Sequence, residues 1–286
     1  MMSQHLKGIL ITTLGVIILS PDALLVRLAD SDTWTILFWR GLLFALGISI
    51  ILFITYRSTV LRQFLKIGKV GILLGFSFGL STTFFVTAIQ YTDIANALVI
   101  ISTSPVFAAL LSWAFLKEKT PLKTWLAMFV IIAATAVIML NSFNHGGFWG
   151  DMSALATSLL LAINFTITRQ AKSINMVPAM ALAGLTTSAI AAVIIGFSNS
   201  PLLLETHAIP YMFAMGLVTA LAFSLITLGP RYMPAAEVGI IMPLETVFGS
   251  YLAWIFLGEA PSSYVLIGGA IIIVTLSIHS WLSLKS

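Results

Sequence analysis

One stretch of this chain occurs twice. Residues 91–118 read YTDIANALVIISTSPVFAALLSWAFLKE, and residues 232–259 read YMPAAEVGIIMPLETVFGSYLAWIFLGE. Aligned without a gap at a constant offset of 141 residues, the two stretches share 10 of 28 residues. The offset is about half of the 286-residue chain, and similarity at a fixed period indicates a structural unit that is used more than once. The sequence therefore predicts two halves, 1–146 and 147–286, built on the same unit.

The composition indicates that this unit lies in a membrane. Hydrophobic residues make up 59% of the chain and charged residues 8%, whereas a soluble domain has roughly 45–50% and about 25%. A membrane-spanning helix needs about 20 apolar residues, and ten such windows are present. We therefore predict an all-α integral membrane protein. The predicted spans 1 to 10 are residues 6–28, 34–56, 70–90, 94–116, 122–141, 150–171, 177–197, 209–228, 235–257 and 263–284.

Five spans in each half have a consequence for orientation. An odd number of spans reverses the direction of the second half, so the sequence predicts two inverted five-helix repeats. Basic residues favour the cytoplasmic side of a membrane. With both termini in the cytoplasm, 12 of the 14 Lys and Arg residues fall on that side. They are Lys7, Arg57, Arg62, Lys66, Lys69, Lys117, Lys119, Lys123, Arg169, Lys172, Arg231 and Lys285.

Two local patterns complete this outline. Thr120-Pro121 and Gly150-Asp151 resemble helix starts, because a side-chain oxygen at the cap accepts a hydrogen bond from the first turn and proline suits its first position. The segment 19–29 also aligns with 161–171 at an offset of 142. This alignment pairs Asp22 with Asn164 and Arg27 with Arg169.

The middle of spans 4 and 9 is the sharpest candidate for a substrate site. Ser104 and Glu245 are related by the repeat offset, and each lies ten residues into its span, about 15 Å deep at 1.5 Å per residue. Prolines beside them remove helical hydrogen bonds and free carbonyl groups. Structural kinking and hydroxyl bonding within the helix would explain the same residues. The candidates at this level are Glu245, Ser102, Thr103, Ser104, Pro105 and Pro243.

Glu245 has two possible partners. A charged carboxylate at this depth costs about 2.5–3.5 kcal/mol on insertion scales, and either a cationic group of the substrate or a coupling proton would remove that cost. A neutral glutamate without a role in coupling is equally compatible with the sequence.

A second candidate is the pair Asp22 and Arg40. Each lies six residues from the same end of its span, at a depth of about 9 Å, so we expect the two opposite charges to meet. The pair is either a structural ion pair or a contact to substrate, and Pro21 could bend span 1 beside it. Small polar residues in spans 3 and 6 could also line a cavity or serve helix packing; they are Ser77, Ser81 and Asn164.

The repeated stretches end in WAFLKE (113–118) and WIFLGE (254–259), and residues 150–170 read GDMSALATSLLLAINFTITRQ. In these features the chain resembles the drug/metabolite transporter superfamily, in its ten-helix EamA-type family. The resemblance implies a secondary transporter of the cytoplasmic membrane that exports amino acids, related metabolites or drugs. It also implies a central cavity lined by spans 1, 3, 4, 6, 8 and 9.

Other functions find little support in the sequence. There is no cysteine, metal-ligand spacing, phosphate-binding loop or catalytic pairing, so no cofactor, metal, nucleic acid or obligate protein partner is expected. The lipid bilayer and a small solute are the expected partners. A membrane enzyme and a channel are rival classes without a supporting motif. Among transporters, carriers of nucleotide-sugars or sugar phosphates are the alternative, although only Arg40 is a clear intramembrane cation.

Overall fold

The computed structural model describes residues 4–116, 122–144, 147–198, 200–233, 238 and 241–284. Within these ranges the chain forms α-helices, one 3₁₀ turn at Arg57–Thr59 and no strand. Long apolar runs explain this, because a helix in lipid satisfies its backbone hydrogen bonds within a single segment. The helices are α1 Gln4–Leu19, α2 Asp22–Leu28, α3 Thr33–Tyr56, α4 Val60–Lys66, α5 Gly68–Tyr91, α6 Ile94–Ile101, α7 Ser104–Leu116, α8 Leu122–Asn144, α9 Phe148–Gln170, α10 Val177–Ser198, α11 Ile209–Ile226, α12 Gly229–Tyr232, α13 Pro243–Leu257 and α14 Ser263–Leu284.

Seven helical segments in the described part of the chain are long and apolar enough to cross a membrane, and shorter apolar helices lie within α8, α13 and α14. Together they occupy the positions of the ten predicted spans. Large side chains such as Phe53 and Phe197 are 66% and 88% exposed on the outside of the bundle, as a lipid-facing surface requires. Most of the first part of span 9 and the predicted helix start at Thr120-Pro121 lie outside the described residues.

The first span is broken between α1 and α2. Pro21 has no N–H group to donate to the carbonyl of Ile17, and the N–H of Ser20 is shared between the carbonyls of Val16 and Ile17, at 3.0 and 3.3 Å. The Ser20 hydroxyl also donates to the Val16 carbonyl, at 2.9 Å. The helix is therefore interrupted at Ser20 and Pro21, where the sequence predicts a bend, and a new helix starts at Asp22.

The fourth span is broken in a similar way between α6 and α7. The N–H of Thr103 turns back to the carbonyl of Ile100 at 3.1 Å, which is a 3₁₀-type bond. Pro105 then lacks the next helical donor. The span predicted as one helix over 94–116 is thus two helices, with the break at Ser102 and Thr103.

Two glycines mark the place where the halves meet. A Cβ on Gly41 of α3 would lie 2.6 Å from the carbonyl oxygen of Gly184 in α10, and a Cβ on Gly184 would lie 2.5 Å from the carbonyl oxygen of Gly41. The same two Cβ atoms would approach Ser188 and Ala45, respectively. Both pairs of residues are 143 apart in the sequence. Mutual contact between equivalent residues is what a two-fold axis produces, so the axis of the repeat passes between α3 and α10.

Two arginines show the same symmetry at the two ends of the bundle. Arg27, at the end of α2, donates to two carbonyl oxygens at the turn after α5, at 2.6 and 2.8 Å. Arg169, at the end of α9, donates to two carbonyl oxygens around α12, at 3.1 and 3.3 Å. The prediction of two inverted repeats is confirmed. The accepting residues are also related by the offset of 141: Ile89 with Pro230, and Thr92 with Met233.

The predicted cap at Asp151 is wrong. The helix α9 begins at Phe148, so Asp151 lies within its first turn. Its fully buried side chain accepts hydrogen bonds from Thr92 and Asn96. The carboxylate that caps a helix is that of Asp32, which accepts from two N–H groups in the first turn of α3, at 2.9 and 3.2 Å. The sequence pattern did not separate these two roles, because both aspartates precede apolar runs.

The glycine contact generates a testable expectation. Gly41→Ala should destabilise the protein by about 1–3 kcal/mol, because the added methyl group collides with a backbone carbonyl that cannot move aside. Gly196→Ala is the matched control in α10, where a Cβ would meet nothing within 4 Å and alanine favours the helix by up to about 1 kcal/mol. Thermal unfolding of the purified proteins in detergent compares the two. A Gly41→Ala variant that is as stable as wild type would contradict the close crossing.

Candidate functional site

A small cavity lies between the two halves. Its volume is about 30 Å³, room for roughly two water molecules at 10–15 Å³ each. Its wall comes from spans 1, 3, 4, 6, 8 and 9, as the resemblance implies, and in addition from Arg40 of span 2. The polar lining residues are Asp22, Arg40, Ser81, Thr82, Thr157 and Glu245. The apolar ones are Leu19, Phe78, Phe85, Ile101, Leu161, Phe223 and Met242.

Asp22 and Arg40 form a buried ion pair at one end of this cavity. Arg40 Nη2 lies 2.5 Å from Asp22 Oδ2, and Arg40 Nε donates to Asp22 Oδ1 at 3.4 Å. The two side chains are 4% and 2% exposed, and the guanidinium also lies over the ring of Phe85, 5.6 Å from its centre. Two parallel contacts of this kind fix both side chains in one plane. The contact expected from equal depths in spans 1 and 2 is therefore formed.

Glu245 is the third charged group of the cavity. It lies in the first turn of α13 and is 7% exposed. Asp22 and Arg40 are near enough to act on it electrostatically. Among the described residues, no donor makes a hydrogen bond to its carboxyl group. Because Asp22 and Arg40 neutralise each other, the Glu245 carboxyl is left unmatched.

Aromatic rings form much of the remaining wall. Phe78 of α5 meets Phe223 of α11 edge to face, with ring centres 4.8 Å apart, and Phe44 packs on Phe223 at 5.9 Å. Aromatic faces attract cations by about 0.5–2 kcal/mol, more when the site is dry. The cavity thus combines one free carboxyl group with an apolar, aromatic surface.

The hydroxyl groups of the break in span 4 do not reach the cavity. Ser102 donates to the carbonyl of Val99 at 2.6 Å, and Thr103 donates to that of Ile100 at 2.7 Å. These bonds correspond to the alternative in which hydroxyls bond within their own helix. Thr103 also contacts the hydroxyl of Ser158 in α9 at 2.9 Å. A role for Ser102 and Thr103 in binding stays a prediction.

The other predicted site residues fall into three groups. Ser81 lines the cavity, with Thr82 beside it. Ser77, Ser104 and Asn164 are buried outside its lining, and their side-chain polar atoms have no hydrogen-bond partner. The prolines occupy helix starts instead of helix centres, with Pro243 first in α13 and Pro105 second in α7.

A second polar cluster joins several helices at one end of the bundle. Besides its two carbonyl contacts, Arg27 forms an ion pair with Glu259 at 3.2 Å. The side chain of Thr92 donates to Asp151 Oδ1 at 2.9 Å, and the amide of Asn96 donates to the same oxygen at 2.5 Å. The cluster therefore ties the end of α2, the start of α6, the start of α9 and the segment after α13 together.

Sequence reasoning missed part of the cavity and most of this cluster. The alignment of Arg27 with Arg169 was the only signal for the cluster, and Asp151 was interpreted as a cap. Thr157 and the phenylalanines of the wall carry no distinguishing signal, because such residues are also common on lipid-facing surfaces. The inward direction of a helix cannot be read from a sequence that is apolar on every face.

Comparison with known proteins agrees with this architecture. A profile of the EamA-like transporter family matches the chain twice, at residues 6–140 and 148–281. The pseudopaline exporter CntI of Pseudomonas aeruginosa is 22% identical over 188 residues, covering 65% of this chain and 66% of the exporter. An uncharacterized transporter of Methanothermobacter thermautotrophicus is 26% identical over 207 residues, covering 69% of this chain and 60% of that protein. The chain thus spans about two thirds or less of these relatives.

A solved structure extends the match to the whole fold. A crystal structure with 17% sequence identity superposes with a TM-score of 0.71, covering 97% of this chain and 98% of the other. The family match and the relative named as an exporter point to a membrane transporter and not to an enzyme. The chain belongs to the EamA-like transporter family.

The ion pair generates the second expectation. Arg40→Gln leaves the Asp22 carboxylate buried without its charge partner, which should cost about 3–5 kcal/mol. The double variant Asp22→Asn/Arg40→Gln has neither charge and should regain much of that loss. Thermal unfolding in detergent measures both, with Arg62→Gln, an exposed arginine, as the control. If the double variant were as unstable as Arg40→Gln alone, the pairing would not explain the effect.

Proposed function

We propose that this protein is a secondary transporter that exports small solutes carrying a positively charged nitrogen, such as amino acids or related zwitterionic and cationic compounds. The observation that carries the proposal is the unmatched carboxyl of Glu245 in a cavity where Asp22 and Arg40 satisfy each other. A carboxylate in a dry site gains most from a cation that replaces its lost hydration. The aromatic wall formed by Phe78 and Phe223 suits the same kind of ligand.

Charge also argues against the main alternative. A nucleotide-sugar or sugar phosphate brings at least one negative charge, and its recognition usually employs unpaired arginine or lysine side chains. Among the residues that the structure describes, Arg40 is the cation that lines the cavity, and Asp22 is already paired with it. A drug carrier with a cationic substrate would fit the same site, and the test below includes such compounds.

Transport requires a change of shape. The cavity has room for about two waters, less than an amino acid needs, so binding a solute requires the site to widen. In inverted-repeat carriers, movement of one repeat against the other exposes a central site to each side in turn. The breaks at Pro21 and at Ser102 and Thr103 divide two of the cavity-forming spans, which provides places at which such movement can occur.

Direction and orientation belong to the same proposal. We place the protein in the cytoplasmic membrane with both termini in the cytoplasm, because basic residues concentrate on that side. Export is supported by the name of one relative, an exporter. A coupling proton could exchange with substrate at Glu245, because a carboxyl group in this position can be occupied by either.

Counterflow uptake in proteoliposomes tests the proposal. The panel comprises labelled amino acids, polyamines and cationic drugs, each measured with and without a pH gradient. Glu245→Gln should reduce uptake roughly tenfold or more, because a hydrogen bond to a charged group contributes about 1.5–3 kcal/mol. Glu205→Gln is the control, since the carboxylate of Glu205 is 73% exposed in a loop, and it should transport as wild type does.

Three results would separate the alternatives. Uptake that rises with the proton gradient in wild type and is lost in Glu245→Gln supports both binding and coupling. Uptake that survives the substitution with unchanged pH dependence removes Glu245 from the mechanism. Uptake of a nucleotide-sugar or sugar phosphate, with no cationic or zwitterionic compound transported, contradicts the proposed substrate class.

A further inference from the structure

Four buried residues on one side of the cavity have side-chain polar atoms without a partner. They lie toward the end of the bundle at which α1 begins, called here the N-terminal side, and they are 0–7% exposed. A buried polar group that makes no hydrogen bond costs about 1–3 kcal/mol, and native proteins contain few of them. Arg27 Nε and the Ser250 hydroxyl lack a partner elsewhere in the bundle, but four such residues on one side of one cavity call for a common cause. The residues are Thr12, Ser77, Ser104 and Asn164.

Two of these residues continue helix faces that line the cavity. Ser77 precedes the lining residue Ser81 by four positions in α5, and Asn164 follows Leu161 by three and Thr157 by seven in α9. Residues three, four or seven apart lie on one face of an α-helix. Both side chains therefore extend the cavity wall by one turn toward the N-terminal side.

Ser104 and Thr12 continue the cavity wall on α7 and α1. Ser104 follows the lining residue Ile101 by three positions across a 3₁₀-type turn, and residues three apart eclipse in such a turn. Thr12 precedes the lining residue Leu19 by seven positions in α1. Its hydroxyl lies so close to Gly229 that a Cβ on the glycine would collide with it.

The four residues also form a series in depth. Counted from the end of its own helix on the N-terminal side, Ser104 lies twelve residues in, Ser77 nine, Thr12 eight and Asn164 six. These counts correspond to depths of about 18, 14, 12 and 9 Å. Polar groups thus continue from the level of the cavity to within two turns of the helix ends.

Hydroxyls used only for packing behave differently on the same helices. Thr83 in α5 donates to the carbonyl of Gly79 at 3.0 Å, and Thr166 in α9 donates to that of Ala162 at 2.8 Å. Thr83 lies two residues from the cavity residue Ser81, and Thr166 lies two residues from Asn164. Each is therefore on the other face of its helix. At the opposite end of the bundle, the Thr92 hydroxyl is likewise bonded, and Arg27 is bonded through its Nη atoms, although its Nε is not. On α5 and α9, the unpartnered side chains Ser77 and Asn164 thus lie on the face that continues the cavity, while these two threonines on the other faces are bonded.

We infer that Thr12, Ser77, Ser104 and Asn164 line a polar pathway that joins the cavity to the N-terminal side of the membrane and is closed in this structure. The inference rests on the proposed transport function and assigns the residues of one half of its route. In the open state, water and the polar groups of the solute supply the missing hydrogen bonds. In the closed state the four helices collapse onto one another and the groups lose them.

Cysteine labelling tests the pathway directly, because the chain contains no cysteine of its own. Single variants Thr12→Cys, Ser77→Cys, Ser104→Cys and Asn164→Cys would be treated in membrane vesicles of both orientations with a membrane-impermeant, positively charged methanethiosulfonate. Intact-protein mass spectrometry measures the labelling rate. Thr83→Cys and Thr166→Cys are the matched controls, being buried residues on the other faces of α5 and α9.

The four pathway cysteines should label at least about ten times faster than the controls, and only from the N-terminal side. Rates equal to those of the controls, or labelling from the opposite side alone, would overturn the inference. Ser77→Cys and Ser104→Cys change a single atom, so they decide the result if a larger change prevents insertion. Labelling needs no substrate, so it separates the pathway from the proposed function. Rapid labelling without uptake of any panel compound would refute the substrate class and leave the pathway. Uptake without labelling would refute the pathway and leave the substrate class.

Discussion

The buried ion pair between Asp22 and Arg40 is the interaction on which the site depends. Either charge alone at this depth costs about 2.5–3.5 kcal/mol even on the lowest scales, so each requires the other. Asp22 begins a helix of its own because Pro21 ends the helix before it, and its carboxylate lies against the Arg40 guanidinium. Once that pair has formed, the described lining of the cavity holds one acidic side chain, Glu245, without a basic partner. The proposed role of Glu245 follows from this unpaired carboxyl group.

The two ends of the bundle handle their buried polar groups in opposite ways. At one end, Arg27, Thr92 and Asp151 are joined across four helical elements by short hydrogen bonds and an ion pair. Toward the other end, the hydroxyls of Thr12, Ser77 and Ser104 and the amide of Asn164 stay unbonded. A membrane interior offers no solvent to compensate for the missing bonds. The first end is therefore tied together by an ion pair and several hydrogen bonds, and the second carries most of the unbonded groups named here.

Much of this architecture could be predicted from the sequence alone. The half-length repeat with an odd number of spans was enough for the inverted fold, and equal depths in adjacent spans were enough to pair Asp22 with Arg40. Both follow from distance along a helix, which the sequence encodes directly. The helix break at Pro21 was predictable for the same local reason, since proline removes a backbone donor wherever it occurs.

Other parts depended on the rotation of each helix about its own axis. Asp151 was misread because a buried aspartate beside Thr92 and an aspartate that caps a helix look alike one residue at a time. Phe223 and Thr157 could not be placed, because lipid and protein present similar surfaces to an apolar side chain. Ser102 and Thr103 share the depth of the cavity but point elsewhere. The depth of each residue along its helix was available from the sequence, and the direction in which its side chain points was not.

The contact between Gly41 and Gly184 has a consequence for how the two halves could diverge. Both positions descend from one residue of the repeated unit, and each now limits the size of the other. After the duplication, neighbouring positions were free to change separately, as Ala45 and Ser188 have done. The two glycines could not, because a side chain at either one separates both helices. A single ancestral constraint therefore persists as a linked pair, and it restricts two places in the chain at the same time.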